Sequence, residues 1–135
     1  MKITEIEVGI KKEVELTTTR NMVNMFAEVS GDFSPIHMDE EYAKETRFGH
    51  CLVHGMYIGA VISRIIGMEL PGKGTIYISQ NLQFKRPIFI GDTVTVGVEV
   101  IEKNDERNRV RLRTYCINAQ NEVLVEGEAW VMPPK

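Results

Sequence analysis

The stretch Cys51–Leu70 (CLVHGMYIGAVISRIIGMEL) decides the fold, because it is the longest apolar run in this chain of 135 residues. It is apolar almost all the way round a helical projection, which is typical of a helix buried inside a domain. A membrane span has a similar length of about 20 residues, but His54, Arg64 and Glu69 interrupt the run. A central arginine alone costs roughly 2.5–3.5 kcal/mol on insertion, so we expect a helix of a soluble domain.

The chain beyond Pro71 alternates apolar and polar residues with a period of two, the pattern of half-buried strands. Four sets follow this alternation: Ile76, Ile78, Leu82 and Phe84; Val94, Val96, Val98 and Val100; Val110 and Leu112; and Val123, Val125, Ala129 and Val131. Turn-forming residues separate them. Polar outer faces predict an antiparallel sheet that is solvated on one side, and only the 51–70 helix is large enough to cover the other side. The predicted fold class is α+β, with the sheet curved around one central helix.

Two shorter helices and another strand are predicted before the apolar run. The strand covers 13–16, and the first helix covers Thr17–Val29 with Thr17 or Thr18 as its N-cap. The apolar face of this helix is expected to hold Met22, Phe26 and Val29. Gly31 is expected to end it, and Asp39 to cap a second helix that runs to residue 43.

The loop after the first helix, Gly31–His37 (GDFSPIH), brings a carboxylate and an imidazole together. Asp32 and His37 stand at its two ends, and Pro35 restricts the backbone between them. A base and an acid held close together suit a reaction with two proton transfers. Gly-Asp-x-Ser-Pro is also a common turn composition, so the loop alone does not decide the function.

The composition permits a single domain, 1–135, with a modest core, since 43% of the residues are hydrophobic. A net charge of -3 does not favour binding to nucleic acid or to an anionic membrane. Cys51 and Cys116 form no CxxC pair, and no signal-peptide pattern opens the chain. We therefore expect a cytoplasmic protein.

Four motifs, in order, make the chain resemble the MaoC-like (R)-specific enoyl-CoA hydratases, which are hotdog-fold enzymes. The motifs are Ser30–His37 (SGDFSPIH), Val53–Met56 (VHGM), Leu70–Gly74 (LPGKG) and Phe84–Asp92 (FKRPIFIGD). The resemblance implies one hotdog domain over 1–135, with an antiparallel sheet wrapped around a long helix. It also implies reversible syn hydration of trans-2-enoyl-CoA to (R)-3-hydroxyacyl-CoA, usually by a homodimer, with no metal and no other cofactor.

The resemblance further implies roles for individual residues. Asp32 and His37 correspond to the catalytic pair, and the amide of Gly55 corresponds to the oxyanion donor. Ser63 aligns with a polar helix residue near the site. Ser34 stands where many members have Asn; both side chains are short and can brace a loop by hydrogen bonding to backbone.

Trp130, the only tryptophan, lies near the end of the last strand, where this family often places acyl-pocket residues. A bulky indole there would shorten the pocket and favour short acyl chains such as that of crotonyl-CoA. Trp130 also shares parity with Glu126 and Glu128, which would instead turn it towards solvent or a partner subunit.

Hydration of an enoyl thioester suits these residues. The attacking water needs a base, the α carbon needs a proton, and the developing enolate oxygen needs hydrogen-bond donors. Asp32 and His37 can hold one water and serve both proton transfers from the same face, which explains syn addition. Which of the two deprotonates water stays open. Backbone amides at the start of the 51–70 helix serve the enolate, and Gly55 permits close approach there.

Other patterns have simpler interpretations. His50, Cys51 and His54 lack a second pair of zinc ligands, so no metal is expected, and His54 is expected to pack or hydrogen-bond where the helix begins. The alternating arginines of 109–113 are interpreted as a solvated strand face rather than as contacts to coenzyme A phosphates. Two rival functions share the scaffold: a hotdog acyl-CoA thioesterase, detected by thiol release, and a non-catalytic acyl-CoA-binding module. Neither calls for the paired acid and base.

Overall fold

In the computed structural model, which describes residues 1–135, the period-two segments form one sheet and the apolar run forms the long helix against it. The helices are α1 (Arg20–Ser30), α2 (Pro35–Met38), α3 (Glu40–Lys44) and α4 (Gly55–Met68). The strands are β1 (Lys11–Thr17), β2 (Ile76–Gln80), β3 (Gln83–Phe84), β4 (Thr93–Asn104), β5 (Arg109–Asn118) and β6 (Val123–Met132). All pairings are antiparallel, in the order β1-β4-β5-β6-β2, with β3 also on β6. The α+β prediction is confirmed.

The core lies between α4 and the inner face of the sheet. The helix contributes Ile58, Ile62, Ile65 and Ile66, and the sheet contributes Val94, Val96, Val98, Val100, Val110, Leu112, Ala129 and Val131, all of them buried. The opposite face of α4 is open, because Met56 and Met68 are 60% and 74% exposed in the single chain. The central helix is therefore covered on one side only. No helix of the chain is long and apolar enough to cross a membrane.

The long helix is shorter than the apolar run that predicts it. It begins at Gly55 because the preceding residues are held extended by their backbone hydrogen bonds. The amide of Leu52 donates to the Ile36 carbonyl at 3.0 Å, and the amide of Val53 donates to the Ile88 carbonyl at 2.8 Å. These bonds bring the start of α4 to the segment that carries His37.

The predicted N-cap of the first helix, Thr17 or Thr18, was wrong by one or two residues. Thr17 belongs to β1, and the buried Thr18 donates its hydroxyl to the Phe89 carbonyl at 3.0 Å. Thr19 is the N-cap, and its hydroxyl accepts from the Met22 amide.

The predicted apolar face of α1 was also partly wrong. Val29 is 87% exposed, and the residues that this helix buries are Val23 and Ala27. Gly31 does end the helix, in the left-handed conformation with φ 79°. Asp39 caps α3 as predicted, since its carboxylate accepts from two amides.

The first predicted strand set divides into two strands at the edge of the sheet. A register shift between Tyr77 and Ser79 interrupts the pairing of β2 with β6. Ile76, Ile78 and Phe84 are 57%, 46% and 52% exposed. Strands form in this segment as predicted, but the register shift breaks the period-two pattern, and neither face of β2 is covered within one chain.

Candidate active site

Two segments that are distant in sequence meet at one end of α4. The first is the continuous stretch 31–38, which comprises the loop Gly31–Ser34 and the short helix α2 that carries His37. The second is the start of α4, where His54 is the N-cap and Gly55 is the first helical residue. The side chains of Asp32, His37 and His54 lie together there, with ligand-type atoms all within 4.8 Å of one another. The structure thus brings the two predicted catalytic side chains to one place.

Asp32 is held as a carboxylate by its neighbour Ser34. The Ser34 hydroxyl donates to Asp32 Oδ1 at 2.5 Å, and the Ser34 amide donates to the same oxygen at 3.1 Å. These two bonds, the side-chain bond first, lower the pKa of Asp32 below its ordinary value. The carboxylate is 45% exposed, so it can accept a proton from a molecule that enters the site. Ser34 therefore braces the loop, but its hydroxyl bonds to the Asp32 carboxylate and not to backbone as predicted.

His37 presents one ring nitrogen to Asp32. Pro35 is the first residue of α2, so His37 lies on a helical turn rather than in a loop. Its Nδ1 is 2.8 Å from the Leu52 carbonyl, which can only accept, so Nδ1 carries the proton. Nε2 then faces Asp32 Oδ2 at 3.9 Å. This separation is too long for a direct hydrogen bond, but one water can bridge it with two bonds of about 2.8 Å.

His54 lies directly behind this pair. Its ring stacks on that of His37 with centroids 3.9 Å apart, and Phe26 meets its edge at 5.0 Å. Its Nε2 is 2.9 Å from the Asp32 carbonyl. His54 is only 2% exposed, and its Nδ1 has no hydrogen-bond partner. The prediction that His54 packs and hydrogen-bonds where α4 begins is confirmed; its contact with both Asp32 and His37 has no signal in the sequence beyond its place next to Gly55.

A pocket of about 380 Å³ opens beside the pair. His37 and Gly55 line it together with an apolar wall that includes Val53, Met56 and Phe84. Three cations stand among its lining residues, namely Arg47, Lys85 and Arg86. The pocket therefore combines an apolar interior with positive charge.

Gly55 is the first residue of α4, so its amide has no partner within the helix. The helix dipole adds positive potential at this end. The absence of a side chain matters here, because a Cβ on Gly55 would lie 2.6 Å from Cδ1 of Phe84. The amide can therefore serve a carbonyl oxygen that enters the pocket.

Two predicted site residues are not brought to this place. Ser63 is exposed, two turns further along α4, and makes no side-chain hydrogen bond. Trp130 points away from the core, because Ala129 and Val131 on either side of it are the buried residues of β6. Its ring lies under the guanidinium of Arg111 at 5.9 Å, outside the pocket. The geometry thus disfavours an acyl-pocket role for Trp130, because its parity on β6 is opposite to that of Ala129 and Val131, which face the core.

The cluster of Asp32, His37 and His54 does not fit a metal ion. An ion lies in the plane of each imidazole that binds it, whereas the two rings are stacked with only 24° between their planes. His54 Nε2 also donates to the Asp32 carbonyl and is not free to ligate. The donor set suits proton transfer better than metal binding.

Comparisons with known proteins identify the family of this chain. The model of the MaoC-like domain family matches residues 2–121. A 3-hydroxybutyryl-CoA dehydratase of Methylorubrum extorquens is 44% identical over 97% of this chain and 83% of its own length. An (R)-specific enoyl-CoA hydratase of Aeromonas caviae is 38% identical over 99% of this chain and all of its own length.

Solved structures give the same result for the fold. An R-hydratase from Pseudomonas aeruginosa superimposes with a TM-score of 0.93 at 43% identity, covering 99% of this chain and 86% of that one. An (R)-hydratase from Aeromonas caviae superimposes with a TM-score of 0.92 at 39% identity, covering 96% and 98%. The sheet and helix described above are those of these hydratases, so the prediction of a hotdog fold is confirmed.

Proposed function

This chain belongs to the MaoC-like domain family, and on that premise we propose that Asp32 and His37 add water to a short-chain trans-2-enoyl-CoA to give the (R)-3-hydroxyacyl-CoA. The reaction class follows from the relatives: the chain is a hydro-lyase, since a 3-hydroxybutyryl-CoA dehydratase and an (R)-specific enoyl-CoA hydratase are 44% and 38% identical to it. The observation that carries the catalytic assignment is the 3.9 Å separation of His37 Nε2 and Asp32 Oδ2, beside the pocket that also holds the Gly55 amide.

The substrate position follows from the donors and the apolar wall. The thioester carbonyl accepts a hydrogen bond from the Gly55 amide, and the acyl chain lies in the apolar part of the pocket. Arg47, which has no carboxylate partner, faces the same opening and suits the phosphates of coenzyme A. Lys85 is already paired with Glu126 at 3.3 Å.

The acid–base pair then performs both proton transfers from one side. Water bound between Asp32 and His37 gives a proton to the pair while its oxygen bonds to the β carbon. The enolate that forms is stabilised at Gly55. The pair returns one proton to the α carbon on the same face and regains its starting state. The ionised Asp32 and the unprotonated Nε2 of His37 are both able to accept the first proton, and the pair acts as one unit.

We also propose that the active form is a homodimer. β2 is the last strand in the sheet order, and the exposed Ile76, Ile78 and Phe84 lie at this edge. A second copy would cover these side chains and end the exposed edge. Light scattering at micromolar concentration should give a mass of roughly twice 15.4 kDa. A monomeric mass would contradict the dimer.

A cytoplasmic location is a further part of the proposal. Cys51 and Cys116 are both free and buried, which suits a reducing compartment. Burial raises the pKa of the Cys116 thiol to about 12, so it stays protonated and unreactive. Imaging of a tagged chain in its source cell tests the location, and labelling outside the cytoplasm would contradict it.

The function is tested with crotonyl-CoA. Addition of purified protein should remove the absorbance of the conjugated enoyl thioester without added metal or nucleotide. Chiral analysis of the product should show (R)-3-hydroxybutyryl-CoA. A mainly (S) product would reject the assignment, and release of free thiol would indicate a thioesterase instead.

A further inference from the structure

We propose that His54 is a positioning residue of the hydration reaction, which fixes the loop that carries Asp32 to the start of α4. In this way it sets the distance between the acid–base pair and the amide of Gly55. The inference rests on the proposed function and adds a residue that the chemistry above does not use. His54 touches no substrate in this role and acts through the groups on either side of it.

The first reason is the way in which the loop Gly31–Ser34 is attached. The amide of Gly31 donates to Ala27, four residues back, and the amide of Asp32 donates to the Ser30 hydroxyl. The Ser34 bonds to Asp32 are equally local. Such bonds shape the loop but do not set its place relative to α4. The bond from His54 to the Asp32 carbonyl is the one hydrogen bond from these four residues to a distant part of the chain.

The second reason is chemical. A carbonyl can only accept, so His54 Nε2 carries the proton in this bond. The other nitrogen, Nδ1, is buried without a partner, which is unfavourable for a polar atom. An apolar ring would fill the same space without that penalty. The imidazole at this position is therefore explained by its bond to Asp32 and not by packing.

The third reason is that His54 contacts both members of the catalytic pair. Its ring lies 3.9 Å from that of His37, and its Nε2 is 4.0 Å from Asp32 Oδ2. Tyr57 lines the same small cavity as His54, and its ring meets that of Phe26 at 5.7 Å. Because Gly55 follows His54 directly, one residue connects the carboxylate, the imidazole and the oxyanion amide.

Two substitutions separate positioning from packing. His54→Phe keeps an aromatic ring but removes the donor, whereas His54→Gln keeps an N–H near the place of Nε2 but removes the ring. When a catalytic group such as Asp32 is displaced from its position, the reaction rate falls by about 10- to 100-fold. We expect His54→Phe to lower kcat by that factor with KM within about twofold of wild type and with an unchanged or raised Tm. We expect His54→Gln to have the lower Tm but the higher kcat of the two.

The controls decide between the two roles. His50→Gln changes an exposed histidine outside the pocket and should leave kcat, KM and Tm as in the wild type. If His54 only packs, the order reverses: His54→Phe keeps its kcat and His54→Gln loses it. That result would overturn the proposal.

A measurement on the wild-type protein makes the test independent of whether the variants fold. Nitrogen chemical shifts of the imidazole rings should show the Nε2–H tautomer for His54, with a proton that exchanges slowly with water. An Nδ1–H tautomer, or rapid exchange of the Nε2 proton, would overturn the proposal. If the wild type fails to hydrate crotonyl-CoA, the proposed function is wrong, and the tautomer still decides whether His54 links the loop to α4.

Discussion

The two walls of the site are held in different ways. The loop wall, Gly31–Ser34, carries Asp32, whose side chain is 45% exposed and is bonded mainly to serines close by in sequence. The helix wall, His54 and Gly55, is packed against Phe26 and Phe84. Local polar bonds thus set the ionisation of one wall, while tertiary packing sets the position of the other. Changes in the loop wall should alter the chemistry, and changes in the helix wall should alter geometry and stability.

The largest effect is expected where the proton-transfer groups are removed. Asp32→Asn and His37→Gln should each lower kcat by at least about 100-fold, since one acid–base group contributes about 10²–10⁴-fold. The free energy of unfolding should stay within about 0.5 kcal/mol for Asp32→Asn, because the side chain lies in a surface loop. Steady-state kinetics with crotonyl-CoA and thermal denaturation measure the two quantities.

A matched control for the carboxylate is available in the β4–β5 turn. Asp105→Asn removes an exposed carboxylate far from the pocket and should change neither rate nor stability. Folded, dimeric Asp32→Asn or His37→Gln protein with nearly the wild-type rate would refute the roles assigned to the pair.

The helix wall can be tested with one methyl group. In Gly55→Ala the new Cβ would overlap the Phe84 ring at 2.6 Å, so the ring and the amide must shift. Strain of about 1–3 kcal/mol is usual for such overpacking, and we expect kcat/KM to fall by about 10- to 100-fold. Kinetics and the unfolding midpoint should both change, unlike in the loop variants.

Gly59→Ala is the matched control, one turn further along the same helix. Its Cβ would meet only the ends of two flexible side chains, Leu82 at 3.3 Å and Met56 at 3.7 Å. Activity should be unchanged, and stability unchanged or higher because Ala favours helix over Gly by about 1 kcal/mol. Equal loss of activity in both variants would show that Gly55 has no special role.

A smaller effect is expected from Ser34, which controls the ionisation of Asp32. In Ser34→Ala the hydroxyl donor is lost, so the lowered pKa of Asp32 should rise towards its ordinary value. At a given acidic pH less of the carboxylate is ionised, and the acid limb of kcat/KM should move to higher pH. The free energy of unfolding changes with pH in the same direction as activity. The stabilising contribution of the ionised Asp32 is present at neutral pH and is lost as the pH falls. Ser34→Asn keeps a donor and should leave the limb in place; an unmoved limb in Ser34→Ala would contradict the assignment.

The smallest effect is expected from a residue outside both walls. Trp130 lies on the outer face of the sheet beside Arg111. Trp130→Phe should therefore leave the ratio of crotonyl-CoA to octenoyl-CoA turnover unchanged. Improved turnover of octenoyl-CoA would place the indole in the acyl pocket after all and would mean that the pocket extends beyond the single chain.

Much of the fold could be predicted from the sequence because periodicity reports directly on burial. The valines of β4 alternate and are all buried, and Gly31 and Asp39 mark helix ends through local backbone chemistry. The pairing of Asp32 with His37 was predictable for the same reason, since both lie on one short stretch of chain. Trp130 is the opposite case. It shares parity with Glu126 and Glu128, which already indicates the outer face of the sheet. The position at which the family often places acyl-pocket residues does not change this.

The sequence by itself thus determined the alternation of strands, the apolar helix and the local Asp32–Ser34 bonds, because each depends on residues close together in the chain. Only the tertiary structure decided that His54 stacks on His37 and reaches the Asp32 carbonyl, a contact between residues 22 positions apart. It also decided that Phe84 lies against Gly55 and that the apolar face of β2 stays exposed in the single chain. The physical reason is that such contacts depend on how separate elements pack in space, and no pattern within one element records its neighbour.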